Sequence, residues 1–197
     1  MRDFLRVMLA AALVCAATEA AAQAADPAAT VDGLYAYLLT PKTNIATDLD
    51  AQGRWLAPAL SAQLRKSVAT ITAARKLPQV DGPDPKVPDN ETMVDAWNLP
   101  TTCKAGKTTQ KAGHASVVVR CDWGPATDYP GQVGKQTVTL TLVQFVWHVS
   151  DIRYHAPGKQ YEGATLRQKL ATRTRKAHAL LRQTYLDKRA PVADNPP

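Results

Sequence analysis

The chain has 197 residues, 45% hydrophobic and 21% charged, with a formal net charge of +7 at pH 7. That length favours one domain with a real core over two, and no stretch reaches the roughly 20 apolar residues of a membrane-spanning helix. The cation surplus points to an anionic partner or a soluble basic surface.

MRDFLRVMLAAALVCAATEAAAQA opens the chain, with Arg2 and Arg6 as a basic start, Val7 to Ala17 as an apolar run and Ala22-Gln23-Ala24 as a small-residue cleavage site. Residues 1–24 therefore read as a secretory signal peptide. Cys15 offers a rival reading, the lipid-bearing cysteine of a lipoprotein, but Val14 stands where such signals want a small residue. Cleavage after Ala24 removes Arg2 and Arg6 with Asp3 and Glu19, so the net charge is unchanged. The expected product is exported, and periplasmic if the host is Gram-negative, with no transmembrane span. Export argues against nucleic acid and leaves anionic lipid, envelope glycan or an acidic protein as the counter-charge.

Residues 25–189 are expected to form a single α+β domain, with 190–197 a disordered tail. Val31, Leu34, Tyr35 and Leu38 fall at helical spacing within Thr30–Leu39, and Pro41 ends the run. Leu56, Leu60, Leu64, Val68 and Ile71 repeat the pattern, and Pro58, which suits a first turn better than a helix interior, starts a longer second helix. Residues 78–90, PQVDGPDPKVPDN, read as an exposed loop. Asp81, Asp84, Asp89 and Glu91 suggest calcium, but their spacing misses the alternation of the twelve-residue calcium loop, and a solvated turn is the simpler reading.

Beyond the loop the period becomes strand-like. Four strands are expected, at Met93–Leu99, Ser116–Trp123, Gln136–Gln144 and Trp147–His155, with Gly-, Pro- or Lys-rich turns between the first three. Such a series implies a strongly curved antiparallel sheet. The junction QFVW at 144–147 holds no turn residue, so a tight hairpin and one long bent strand both remain open. Cys103 and Cys121 are expected to pair in an oxidising compartment, closing a loop worth ~3 kcal/mol. A zinc site built on them and His114 lacks an evident fourth ligand, so no metal or cofactor is expected.

WHVSDIRYH, residues 147–155, concentrates chemistry. Strand alternation puts Trp147 and Val149 on one face and would carry Asp151 into the core with them. A bulge at Ser150-Asp151 shifts the parity, returning Ile152 and Tyr154 to the apolar face and leaving Asp151 free to cap, turn or bind. After Gly163 a last helix is expected, with Leu166, Leu170, Ala177, Leu180, Leu181 and Tyr185 as its apolar stripe and Arg175, Lys176 and Arg182 facing elsewhere. Arg173 falls inside the stripe, where either its stem snorkels or its guanidinium points into a pocket or partner.

Leu34-Tyr35, then Leu56-Ala57-Pro58-Ala59-Leu60, then Trp147-His148-Val149-Ser150-Asp151-Ile152, then Leu166 follow one another in an order that resembles an uncharacterised exported bacterial family of the nuclear-transport-factor-two-like superfamily. The resemblance covers most of the chain after the leader. The cysteine pair, the Pro/Asp loop and the longer final helix depart from the pattern. The resemblance implies a cone of helices wrapped on a curved sheet, with a cavity at its mouth. It implies no one activity, because a fold does not fix a function.

Two functions are weighed. A pocket enzyme of isomerase or dehydratase type needs an acid-base pair of shifted pKa in the cone, for which Asp95, His148, Asp151 and His155 are the candidates. A non-catalytic binding or interaction module, including a toxin-neutralising one, needs a partner surface, for which Arg153, Arg173, Arg175, Lys176 and Arg182 are the candidates. The chain carries no Gly-x-Ser-x-Gly elbow, no His-Glu-x-x-His and no Gly-rich phosphate loop, and the binding module is the leading expectation.

Overall fold

The computed structural model describes residues 26–77, 86–94, 99–125, 127, 130–155 and 163–187. Helix α1 spans Pro27–Leu39. It starts three residues earlier than its apolar spacing implied, because Asp26 accepts a hydrogen bond from the Ala28 amide at 2.9 Å and Pro27 has the φ of a first-turn residue. Its buried face is Val31, Leu34, Tyr35 and Leu38. The short helix α2, Leu49–Trp55, is capped by Asp48, whose carboxylate takes the Ala51 amide at 2.9 Å. Helix α3, Pro58–Arg75, opens on Pro58 as expected.

The first expected strand is corrected. Met93 and Val94 finish a five-residue helix, α4, Asn90–Val94, and residues 95–98 lie outside the described ones. Asp89 nucleates that helix by accepting from the amide and the hydroxyl of Thr92, at 2.9 and 3.0 Å. The sheet instead begins with β1, Thr102–Lys111, in the Lys-rich stretch read as a turn. It continues through β2, His114–Asp122, β3, Val133–Val143, and β4, Val146–His155. The four strands form an antiparallel curved meander in the order β1-β2-β3-β4. Cys103 and Cys121 are direct ladder partners, with Cα atoms 4.0 Å apart, and form a disulfide across β1 and β2.

The junction left open at 144–147 is a two-residue hairpin: Val143 pairs Val146, and Gln144 and Phe145 turn the chain at φ 49° and 65°. The bulge in β4 lies where parity requires it. Thr139 pairs Asp151 and Leu140 pairs Val149, so Ser150 is the extra residue. Trp147, Val149, Ile152 and Tyr154 are all buried.

One core fills the space between this inner face and the helices, joining α1 residues to Val117, Val119, Val138 and Leu140 of the middle strands. Helix α5, Leu166–Asp187, starts in a capping box: the Thr165 amide donates to Gln168 Oε1 at 2.9 Å and the Gln168 amide to Thr165 Oγ1 at 3.3 Å. It runs parallel to α3. Gln63 meets Arg167, Ser67 meets Thr174, and Ile71 and Ala74 pack with Ala177. Because α3 ends at Arg75, the last two turns of α5 project past it. The expected stripe is therefore corrected at its far end: Leu166, Leu170 and Ala177 are buried, but Leu180 is 46% and Tyr185 55% exposed.

Candidate functional site

The resemblance implies a cavity at the inner face of the sheet. Large side chains occupy it: Trp147, Tyr35 and Tyr154 are each at most 2% exposed. Both tyrosine hydroxyls are hydrogen-bonded, whereas the buried Trp147 Nε1 meets no hydrogen-bond partner among the described residues. The Tyr35 hydroxyl donates to Gln136 Oε1, and Gln136 Nε2 donates to the Val94 carbonyl at 2.7 Å. The Tyr154 hydroxyl donates to the carbonyls of Thr92 and Met93, at 3.0 and 3.2 Å. The carbonyls at the end of α4 are thus bound by side chains of β3 and β4. Burial of the Tyr35 hydroxyl pushes its pKa far up, so it stays a neutral donor.

The enzyme candidates do not converge. Asp95 lies outside the described residues. His148 faces outward opposite Thr141, and its half-burial lowers its pKa below 6.5 by desolvation. His155, opposite Lys135, has its Nε2 2.9 Å from the Thr137 hydroxyl. Thr141 and Lys135 are six positions apart on β3, so the two histidines stand about 20 Å apart. Asp151 is engaged in structure, its Oδ1 accepting from its neighbour's amide, Ile152, at 2.9 Å and from the Arg167 amide at 3.1 Å. It pins the bulge to the first turn of α5, where the positive helix end favours a carboxylate.

The cationic candidates divide into two groups. Arg173 turns inward: it is half-buried and its Nη1 donates to Thr92 Oγ1 at 3.0 Å, a bond that ties α5 to α4. Arg153, on the outer face of β4, reaches the Gly163 carbonyl at 3.2 Å. Arg175, Lys176 and Arg182 are exposed on α5. Arg175 and Arg182 lie on one helix face with His178, Ala179 and Leu186, and these line a shallow, solvent-open groove along the C-terminal half of α5. His178 was missed by the sequence reading. Its signal is the helix face that positions 175, 178, 179, 182 and 186 share, which lies off the apolar stripe.

The acidic loop holds no converging ligand set in its described part. Lys86 pairs with Asp89 at 3.4 Å and with Glu91, and these bonds raise the lysine's pKa against the opposing effect of its desolvation. Asp81 and Asp84 lie outside the described residues. What the described surface offers is cationic side chains on a rigid helix, without a nucleophile and base in reach of each other. No family model, curated protein or solved structure matches the chain.

Proposed function

We propose that the chain is an exported, non-catalytic binding module that presents the projecting end of α5 to an anionic protein partner in the cell envelope. The observation that carries this reading is the α5 groove, where Arg175 and Arg182 flank His178 beside the exposed Leu186. Arginines set around an apolar contact are the composition of interface anchors. The leader at residues 1–24 and the Cys103–Cys121 disulfide support export, and no helix among the described residues is long and apolar enough to cross a membrane. The helices packed on one side of a curved sheet fit the cone architecture of the nuclear-transport-factor-two-like superfamily. Within this reading, neutralisation of an acidic toxin is the concrete role for such a module.

The test is native mass spectrometry of the protein isolated gently from the exported fraction of its own host, in wild-type form and as R175E/R182E. A protein partner retained by the wild type and lost from the variant, with association weakening as salt rises, is expected. A small molecule retained in place of a protein, or a partner held equally by both forms, overturns the reading.

A further inference from the structure

A second basic surface lies on the outward face of the sheet, on the opposite side from the helices. Lys104 stands directly opposite Arg120, Arg120 opposite Lys135, and Lys135 opposite His155. Strands about 4.8 Å apart make this a row about 14 Å long across the whole sheet. Lys104, Arg120 and Lys135 are exposed, as is Arg153, two positions from the row along β4. Like charges placed directly opposite weaken a sheet, so the row works against the fold that carries it. Among the described residues, the acid beside it is Asp122, which Arg120 already engages at 3.1 Å.

The far end of the same face shows a second feature that folding does not explain. A two-residue hairpin turn of the type formed here has positive φ at both positions, which Asn-Gly supplies without strain. Here Phe145 occupies the second position at φ 65° and is 70% exposed. Beside it Val146, which shares the outward parity of His148, is 47% exposed. An aromatic side chain in an unfavourable backbone conformation, displayed to solvent, is neither a turn former nor a core residue.

We propose that this face docks on an anionic phospholipid surface, with Lys104, Arg120 and Lys135 on the headgroups and Phe145 entering the interfacial layer. The cations are spread across four strands instead of gathered round a point, and an apolar tip stands at the other end of the same face, beyond Val143 and so about 26 Å or more from Lys135. A bilayer offers both an extended anionic plane and an apolar layer beneath it. A second copy of the chain is a poor occupant, because stacking two such faces sets cations against cations. This surface is separate from the α5 groove, so a membrane contact and a partner contact can coexist.

The experiment is co-sedimentation with vesicles of phosphatidylcholine alone and of an equimolar mixture with phosphatidylglycerol. It uses the chain from Ala25 onward, which keeps every described element and lacks the apolar run that would itself bind vesicles. Binding is expected to the mixed vesicles only and to fall as salt rises. K104E/K135E should cut it by about 25-fold or more, at about fivefold for each lysine lost. Phe145→Gly should weaken binding about tenfold while leaving the melting temperature equal or higher, since glycine suits the turn. R175E/R182E should bind as the wild type does, which separates this proposal from the α5 reading. Equal binding to both vesicle types, no binding, unchanged binding by K104E/K135E, or loss through R175E/R182E instead overturns it.

Discussion

Asp151 shows how one side chain can look catalytic and act as a joint. Its carboxylate holds the amide that follows the β4 bulge and the Arg167 amide in the first turn of α5, so it couples a strand irregularity to a helix start. Asp151→Ala removes a helix-end acceptor worth about 1 kcal/mol and should lower the melting temperature by about 2–4 °C. Asp151→Asn, which keeps one acceptor oxygen, should lower it less. Both are read by thermal unfolding, and a drop in any enzymatic turnover at unchanged melting temperature would contradict the structural role. His148 makes a different kind of statement. Its Nδ1 is buried and meets no hydrogen-bond partner among the described residues, and burial holds its pKa below 6.5. The unfolded chain therefore takes up the proton first as pH falls, so stability is complete above 6.5 and declines below it until the folded imidazole is protonated too. Melting temperature followed from neutral pH downward should show this loss, and His148→Gln should flatten it. An unchanged slope in the variant would assign the loss to other groups.

Among the elements, β1 is the one held least by packing. Of its ten residues only Cys103 and Ala105 are half-buried, and the rest are exposed. Its attachments are the ladder to β2, a hydrogen bond from the Ala105 amide to Asp32 of α1 at 2.8 Å, and the disulfide. C103S/C121S should cost about 3 kcal/mol by freeing the loop in the unfolded chain. Hydrogen exchange in the variant should show β1 amides losing protection before those of β3 and β4; uniform loss would mean that the disulfide does not hold β1 locally. The same sparse burial explains why β1 was not legible in the sequence: with nothing apolar alternating in it, TCKAGKTTQK resembles a turn. Helix α4 misled for the opposite reason, since Met93 and Val94 are apolar but the helix is too short to show a period. The Gln144-Phe145 hairpin could not be told from one long bent strand because turn chemistry is read from Gly and Asn, and neither is there. By contrast, the β4 bulge was legible, because Trp147, Val149, Ile152 and Tyr154 fit one face only if one residue is skipped. The far end of the α5 stripe failed because periodicity says which residues share a face, and only the end of α3 at Arg75 says where that face passes beyond α3.

At the scale of the molecule, the described helices and the strands divide the surface into two cationic sides around a filled centre. Register was needed to see the outer row, because Lys104, Arg120, Lys135 and His155 are scattered in sequence and meet only through three ladders. The filled centre also bears on the cavity that the resemblance implies. Three elements converge on α4: Gln136 from β3, Tyr154 from β4 and Arg173 from α5 bind Val94, the Thr92 and Met93 carbonyls, and the Thr92 hydroxyl respectively. Met93 and Val94 of α4 belong to the same buried cluster as Tyr35 and Trp147, so the helix closes the interior where the resemblance placed an open mouth. Tyr154→Phe leaves two buried carbonyls short of a donor, and Gln136→Leu deprives both the Val94 carbonyl and the Tyr35 hydroxyl. Each unsatisfied buried group costs about 1–3 kcal/mol. The two changes share α4 and should not add independently. The double variant is expected to keep its far-ultraviolet circular dichroism, to expose residues 90–94 to hydrogen exchange, and to bind an apolar dye that the wild type excludes. That outcome makes α4 a plug held by side-chain bonds over a space that opens when they are cut. Dye binding by the wild type would show instead that the interior is already accessible, and would return a pocket function to the inner face.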